Sequence, residues 1–126
     1  MAKPYKILII DDNEEILAAL NDFFVNEQYD VISAADGLEG LKLLENEKHR
    51  FDLVITDIVM PNVSGVGIIS IVKKKYPATP VIAITGWGEH PEALAIEAQA
   101  DLVLEKPFEL PELSKIIKNL LSQKTQ

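Results

Sequence analysis

LVITDIVMP, residues 53 to 61, places a carboxylate where an apolar run ends. Leu53, Val54 and Ile55 have the character of a strand buried on both faces, because a half-buried strand would alternate apolar and polar residues. Asp57 comes two residues later. An acid at the end of such a strand predicts a polar site beside a central strand of a sheet.

Strand-like and helix-like segments alternate along the rest of the chain. The strand-like segments are YKILII (5–10), DVISAA (30–35), FDLVIT (51–56), PVIAIT (80–85) and LVLE (102–105). Apolar residues of helical period lie at Ile16, Leu17, Leu20, Phe23 and Phe24; at Leu38, Leu41 and Leu44; at Val66, Ile69 and Val72; in PEALAIEAQA (91–100); and at Leu110, Leu113, Ile116, Ile117, Leu120 and Leu121. This alternation predicts an α/β fold with a five-stranded parallel sheet covered on both faces.

Composition limits the class of protein. A chain of 126 residues with 48% hydrophobic residues fits one globular domain over residues 1–126, and no linker rich in Gly, Ser or Pro divides it. The absence of cysteine excludes disulfides, thiol catalysis and cysteine-based metal sites, and the two histidines are too few for a histidine metal cage.

Charge and hydropathy exclude further partners. A net charge of -8 would repel a polyphosphate, so we expect no direct binding of nucleic acid. No apolar stretch reaches membrane-spanning length, and the N-terminus meets its first acids too early for a signal peptide. We therefore predict a cytoplasmic protein that does not bind a membrane.

Polar residues follow the predicted strands. Asp11 and Asp12 end the first strand, Asp57 the third and Thr85 the fourth, and Lys106 follows the fifth. In open α/β sheets the ligand site lies beyond the carboxyl ends of the strands, so these side chains are expected to converge. Singly, Asp12 has another interpretation as the cap of a helix near residue 13, and Lys106 as a surface charge.

Three neighbouring carboxylates need protons or a cation. At about 4 Å, two of them repel by about 4 kcal/mol at an effective dielectric near 20. Oxygen ligands without His or Cys suit a hard ion, and a site with few carboxylates suits Mg²⁺ better than Ca²⁺. Magnesium, a lysine and a hydroxyl can together stabilise the negative charge of a phosphoryl group during its transfer. A carboxylate can be the nucleophile in such a reaction.

Four motifs together resemble the response-regulator receiver domain of two-component signalling, over essentially the whole chain. They are ILIIDDNEEIL, LVITDIVMPNVSG, VIAITGWGE and LVLEKPFEL. The resemblance implies a doubly wound, flavodoxin-like (βα)5 fold with strand order 2-1-3-4-5. It also implies a magnesium site formed by Asp12, Asp57 and the backbone carbonyl of Val59, with Asp11 acting mainly through a water molecule.

The same resemblance assigns the phosphoryl chemistry. Asp57 is expected to accept the phosphoryl group, Thr85 to hydrogen-bond one of its oxygens and Lys106 to pair with another. The amides of Val59 and Gly86 are expected to donate as well, and the Lys106–Pro107 peptide to be cis. One departure concerns Val103, because the family often has Tyr or Phe there; Trp87 is the nearest large ring.

The resemblance therefore implies a phosphoacceptor module that takes a phosphoryl group from a sensor histidine kinase or a histidine phosphotransfer protein and changes conformation. A downstream output protein or domain is the second expected partner. Turnover catalysis is not expected beyond slow self-dephosphorylation. Two alternatives stay open: a pseudo-receiver that works without phosphorylation, and a phosphatase with an aspartyl nucleophile. Such a phosphatase needs an acid two residues after its nucleophile, where this chain has Val59.

Overall fold

The computed structural model describes residues 4–46, 48, 50–60, 63–86 and 99–124. This part of the chain contains five strands and four helices. The strands are Lys6–Ile10 (β1), Asp30–Ala34 (β2), Leu53–Asp57 (β3), Val81–Thr85 (β4) and Leu102–Glu105 (β5), and the helices are Glu14–Asn26 (α1), Gly37–Glu45 (α2), Gly65–Lys75 (α3) and Leu110–Lys124 (α4). Trp87, both histidines and most of the predicted helix over 91–100 lie outside the described residues.

The five strands form one parallel sheet in the order β2-β1-β3-β4-β5. This confirms the fold class and the strand order that the resemblance implied. β3 lies at the centre, and all five of its residues are buried. The connections after β1 and β3 lead to opposite sides of the sheet, so a crevice opens above the carboxyl ends of these two strands.

Helices cover both faces of the sheet. Phe24 of α1 and Ile117 of α4 belong to one buried cluster, whereas Leu44 of α2 and Ile69 of α3 belong to another. Successive side chains of a strand point to opposite faces, so strands covered on both faces are apolar throughout. None of the helices in the described ranges is long and apolar enough to cross a membrane.

The predicted strand bounds are correct within one or two residues. β3 was expected over 51–56 and runs from Leu53 to Asp57, so the acid is the last residue of the strand. Asp57 still pairs with Ile84 of β4, and the amide of Ile58 donates to the carbonyl oxygen of Ile84 at 3.0 Å. The ladder therefore holds the backbone of Asp57 directly.

One predicted core position is wrong. Leu38 was placed on the apolar face of α2 but is 47% exposed. The buried residues of this helix are Gly37, Gly40 and Leu44. A Cβ atom at Gly40 would overlap the side chain of Ile10, so the glycine allows the helix to approach β1 closely. The two glycines turn Leu38 away from the core.

The end of α1 has the hydrogen bonds of a Schellman motif. The amide of Gln28 donates to the carbonyl oxygen of Val25 at 3.0 Å, and the amide of Tyr29 to that of Phe24 at 3.1 Å. The rings of Phe24 and Tyr29 also make an edge contact, with centroids 5.8 Å apart. Gln28 adopts a φ of 71°, a left-handed conformation that usually favours glycine.

Candidate metal and phosphoryl site

The carboxyl ends of the strands bring the predicted acids together. One oxygen each of Asp11, Asp12 and Asp57 lies within 4.8 Å of the others. Asp11 and Asp57 are buried, whereas Asp12 is exposed. The structure thus places three carboxylates in one cluster, as the sequence predicted, with one of them accessible to solvent.

Local hydrogen bonds explain why Asp12 is available. Asn13 is the N-cap of α1, and its side-chain oxygen accepts from the amides of Glu15 and Ile16 at 3.0 and 3.1 Å. The interpretation of Asp12 as the cap is therefore wrong. The amide of Asn13 in turn donates to Oδ1 of Asp11 at 2.8 Å and orients this carboxylate. The prediction from sequence missed that role, although an aspartate side chain commonly accepts a hydrogen bond from the backbone amide two residues on.

Close packing fixes the backbone of Asp57 from a second side. The amide of Gly65, the first residue of α3, donates to the carbonyl oxygen of Ile58 at 2.9 Å. A Cβ atom at Gly65 would overlap the carbonyl oxygen of Asp57. Only glycine lets the helix begin this close to the strand end, so α3 supports the position of the acid.

Lys106 is the cation of the site. Its Nζ lies 3.4 Å from Oδ2 of Asp11 and 3.8 Å from Oδ2 of Asp57. Its backbone amide donates to the carbonyl oxygen of Thr85 at 2.8 Å. The Lys106–Pro107 peptide is cis, which confirms that prediction. The interpretation of Lys106 as an unrelated surface charge is wrong.

The site holds more negative charge than one lysine balances. Burial and the neighbouring Asp11 carboxylate together raise the pKa of Asp57 to about 7, because the lowering effect of Lys106 is smaller than either of them. Burial also raises the pKa of Asp11, against the lowering effects of the Asn13 amide and of Lys106. A bound cation would stabilise the ionised form of these carboxylates. Oxygen ligands alone suit a hard divalent ion.

Thr85 supplies a buried hydroxyl that could hydrogen-bond a ligand. It is fully buried at the end of β4, and its Oγ1 has no hydrogen-bond partner within the described residues. Thr56, also fully buried, donates its hydroxyl to the carbonyl oxygen of Asp57 at 2.9 Å. A buried hydroxyl without a partner costs stability, so Thr85 fits a role that begins when a ligand arrives.

The remaining predicted residues differ in what the structure shows. Val59 lies two residues after Asp57, in the connection between β3 and α3, and is 50% exposed. Val103 of β5 is partly buried and packs against the cluster that contains Leu44 and Ile69. Gly86 directly follows Thr85. Trp87 lies outside the described residues, so its predicted place near the site is not tested.

Comparison with known proteins agrees with this geometry. Residues 7–118 match the profile of the response regulator receiver domain. The chain belongs to this family. It is 35% identical to the transcriptional regulatory protein GlrR of Escherichia coli K12 over 96% of this chain and 27% of that protein. The receiver domain spans about a quarter to a half of the curated relatives it matches.

Solved receiver domains have the same fold. A CheY-like receiver domain protein from Methanospirillum hungatei superposes with a TM-score of 0.89 at 31% identity, covering 97% of each chain. The response regulator TrrA of Thermotoga maritima, solved with Mg²⁺ and BeF, gives a TM-score of 0.81 at 32% identity over 92% of this chain and 98% of that one.

Proposed function

We propose that this receiver domain accepts a phosphoryl group on Asp57 from the phosphohistidine of a partner and changes conformation as a result. The observation that supports it most directly is the meeting of Asp11, Asp12 and Asp57 with Lys106 and an unpartnered Thr85 hydroxyl at one end of the sheet. A carboxylate cluster with a purely structural role would have no need of a buried hydroxyl that lacks a hydrogen-bond partner among the described residues.

The chemical step follows from these groups. An ionised oxygen of Asp57 attacks phosphorus and forms an acyl phosphate, the phosphorus–nitrogen bond to the donor histidine breaks, and the electron pair stays on the ring nitrogen, which then takes up a proton. Lys106 pairs with one phosphoryl oxygen, and the Thr85 hydroxyl donates to another. The backbone amides of Val59 and Gly86 are proposed as further donors.

The donor set fits a magnesium ion. Asp12 and Asp57 would hold it together with the backbone carbonyl of Val59, and Asp11 would act through a water molecule. When bound, Mg²⁺ would neutralise charge that builds up on the phosphoryl oxygens. The relative TrrA has been solved in complex with Mg²⁺ and BeF, which supports a magnesium site here.

The proposed partners are a sensor histidine kinase or a histidine phosphotransfer protein, and a downstream output protein or domain. The relative GlrR is named a transcriptional regulatory protein, and this supports a downstream output domain or protein as a partner. We propose that residues 1–126 act as one receiver domain in the cytoplasm, without direct contact to nucleic acid or membrane. The response is carried by conformation and not by turnover of a substrate.

The decisive experiment is labelling with a small acyl phosphate in the presence of Mg²⁺, followed by intact mass. The parent is expected to gain one phosphoryl group, and Asp57→Asn is expected to gain none. Asp22→Asn is the matched control, because Asp22 is exposed on α1, outside the carboxylate cluster. Equal labelling of the Asp57 variant would place the acceptor elsewhere, continuous turnover would support a phosphatase, and no labelling of the parent would support a pseudo-receiver.

A further inference from the structure

β5 leads directly into Lys106, but burial determines the register of this strand only weakly. It is a four-residue strand at the edge of the sheet, with three half-buried residues followed by an exposed one. Strand register is fixed strongly where one face is fully buried and weakly elsewhere. A shift of one residue would move Lys106 by about 3.3 Å along the strand. The contacts of 3.4 and 3.8 Å to the two carboxylates would then be lost.

A polar network holds the opposite end of this strand. The amide of Asp101 donates to the carbonyl oxygen of Val81 at 2.9 Å, and Oδ2 of Asp101 accepts from the amide of Val81 at 2.7 Å. The same Oδ2 lies 2.6 Å from Nζ of Lys73, which also donates to the carbonyl oxygen of Thr79 at 2.8 Å. Lys73 thus joins α3 to the residues that begin β4 and β5.

The network differs from an ordinary surface ion pair. The side chain of Lys73 is only 12% exposed, and that of Asp101 is 35% exposed, so solvent screens their attraction less than at an open surface. The carboxylate also accepts a bond from a backbone amide, and charge-assisted bonds of this kind are directional. Val81 and Asp101 are opposite each other in register, immediately before the pair Ile82 and Leu102.

We infer that Lys73 and Asp101 are positioning residues for phosphoryl transfer: they fix the register of β5 and so hold Lys106 Nζ beside Asp57. The five residue steps from Asp101 to Lys106 span about 16 Å along the strand. Neither residue touches the reacting atoms. The consequence for phosphoryl transfer rests on the proposed function, whereas the effect on register does not.

The first test follows the register alone. Hydrogen exchange of the Lys106 amide, which donates to the carbonyl oxygen of Thr85, is measured by NMR without metal or donor. Asp101→Ala is expected to speed this exchange by about 10-fold or more relative to the amide of Ile55 in the central strand. Lys73→Met keeps the bond between Asp101 and Val81, so a smaller increase is expected.

A matched control separates register from general loss of stability. Ser114→Ala removes the bond of 2.6 Å between Ser114 Oγ and Glu27 Oε1, which joins α4 to the end of α1. It is expected to destabilise the fold without a selective effect on the Lys106 amide. If Asp101→Ala leaves the ratio of the Lys106 and Ile55 exchange rates unchanged, the proposed control of register is wrong.

The second test follows the reaction through a double-mutant cycle. Asp101→Ala is expected to slow acyl-phosphate labelling of Asp57 by about 10-fold or more, because small displacements of a positioned group cost rate steeply. In a Lys106→Met background the same change is expected to add nothing, since the group it positions is gone. Equal slowing in both backgrounds would show a merely structural role and overturn the inference. A parent that cannot be labelled would refute the proposed function, while the exchange test would still decide the register.

Discussion

Two buried threonines on neighbouring strands have opposite hydrogen-bonding states. Thr56 donates to the carbonyl oxygen of Asp57, whereas Thr85 has no partner in the described part of the chain. We predict that Thr85→Val raises the free energy of unfolding by about 1 kcal/mol, because it removes an unsatisfied buried hydroxyl. Thr56→Val, the matched control, is expected to lower it by about 1 kcal/mol. Urea unfolding without metal measures both, and equal losses would contradict the assignment of Thr85 as unpartnered.

Asp57 makes stability depend on pH. Its pKa is raised from 3.8 to about 7 in the folded protein, so between these values the folded state holds a proton that the unfolded state releases. The free energy of unfolding therefore falls as pH rises from about 4 to about 7, and the loss is complete above that range. Asp57→Asn does not titrate and avoids the loss.

We predict that Asp57→Asn is more stable than the parent by about 2 to 4 kcal/mol at pH 8 without metal, since one pKa unit corresponds to about 1.4 kcal/mol. Near pH 4 the difference contributed by this carboxyl is expected to vanish. Urea titrations at several pH values, with Asp22→Asn as the control, measure it. A stability difference that does not change with pH would show that the carboxyl ionises freely in the fold.

The chemical identity of the site could be predicted from single residues, but their hydrogen bonds could not. Asp11, Asp12, Asp57, Thr85 and Lys106 stand at strand ends, and the strand pattern alone indicates that they converge. Whether a buried hydroxyl finds a partner depends on differences of a few tenths of an ångström between neighbouring strands. No pattern of residue types records distances of that size.

At the level of elements, the end of α1 offers a direct stability test. Gln28 adopts a left-handed backbone conformation that is sterically unfavourable for a residue with a Cβ atom, whereas glycine adopts it without this cost. We predict that Gln28→Gly raises the free energy of unfolding by about 0.5 to 1 kcal/mol, after the extra freedom of glycine in the unfolded chain is subtracted. Thermal unfolding measures the change.

The control for this prediction is Asn26→Gly, two residues earlier, where the backbone is helical. There glycine is expected to lower stability by about 0.3 kcal/mol, because asparagine is already a weak helix former. Stabilisation at both positions, or at neither, would mean that the left-handed conformation of Gln28 carries no cost.

The helices show where periodicity succeeds and where it fails. In α1 the predicted positions Leu20 and Phe24 are both fully buried, because large side chains mark the inward face. In α2 the inward face is marked partly by the absence of side chains, at Gly37 and Gly40. A pattern that counts apolar residues gives weight to Leu38 and none to a glycine, so it places Leu38 wrongly on the inward face, although it places Leu44 correctly.

At the scale of the whole molecule, the alternation of segments was sufficient to predict a parallel sheet with helices on both faces. It could not supply the order of the strands, because several orders satisfy the same alternation and the same crossover handedness. The order came from resemblance to a family and is confirmed by the pairing of β1 with both β2 and β3.

The site draws on both ends of the sequence, since Asp11 follows the first strand and Lys106 the last. Because these contacts close the longest loops of the fold, we expect them to form late in folding. An ion that binds only the completed site stabilises the native state and not the transition state. We therefore expect Mg²⁺ to slow unfolding while leaving the refolding rate nearly unchanged. Stopped-flow kinetics with and without the ion test this, and accelerated refolding would mean that the acids gather before the last strand docks.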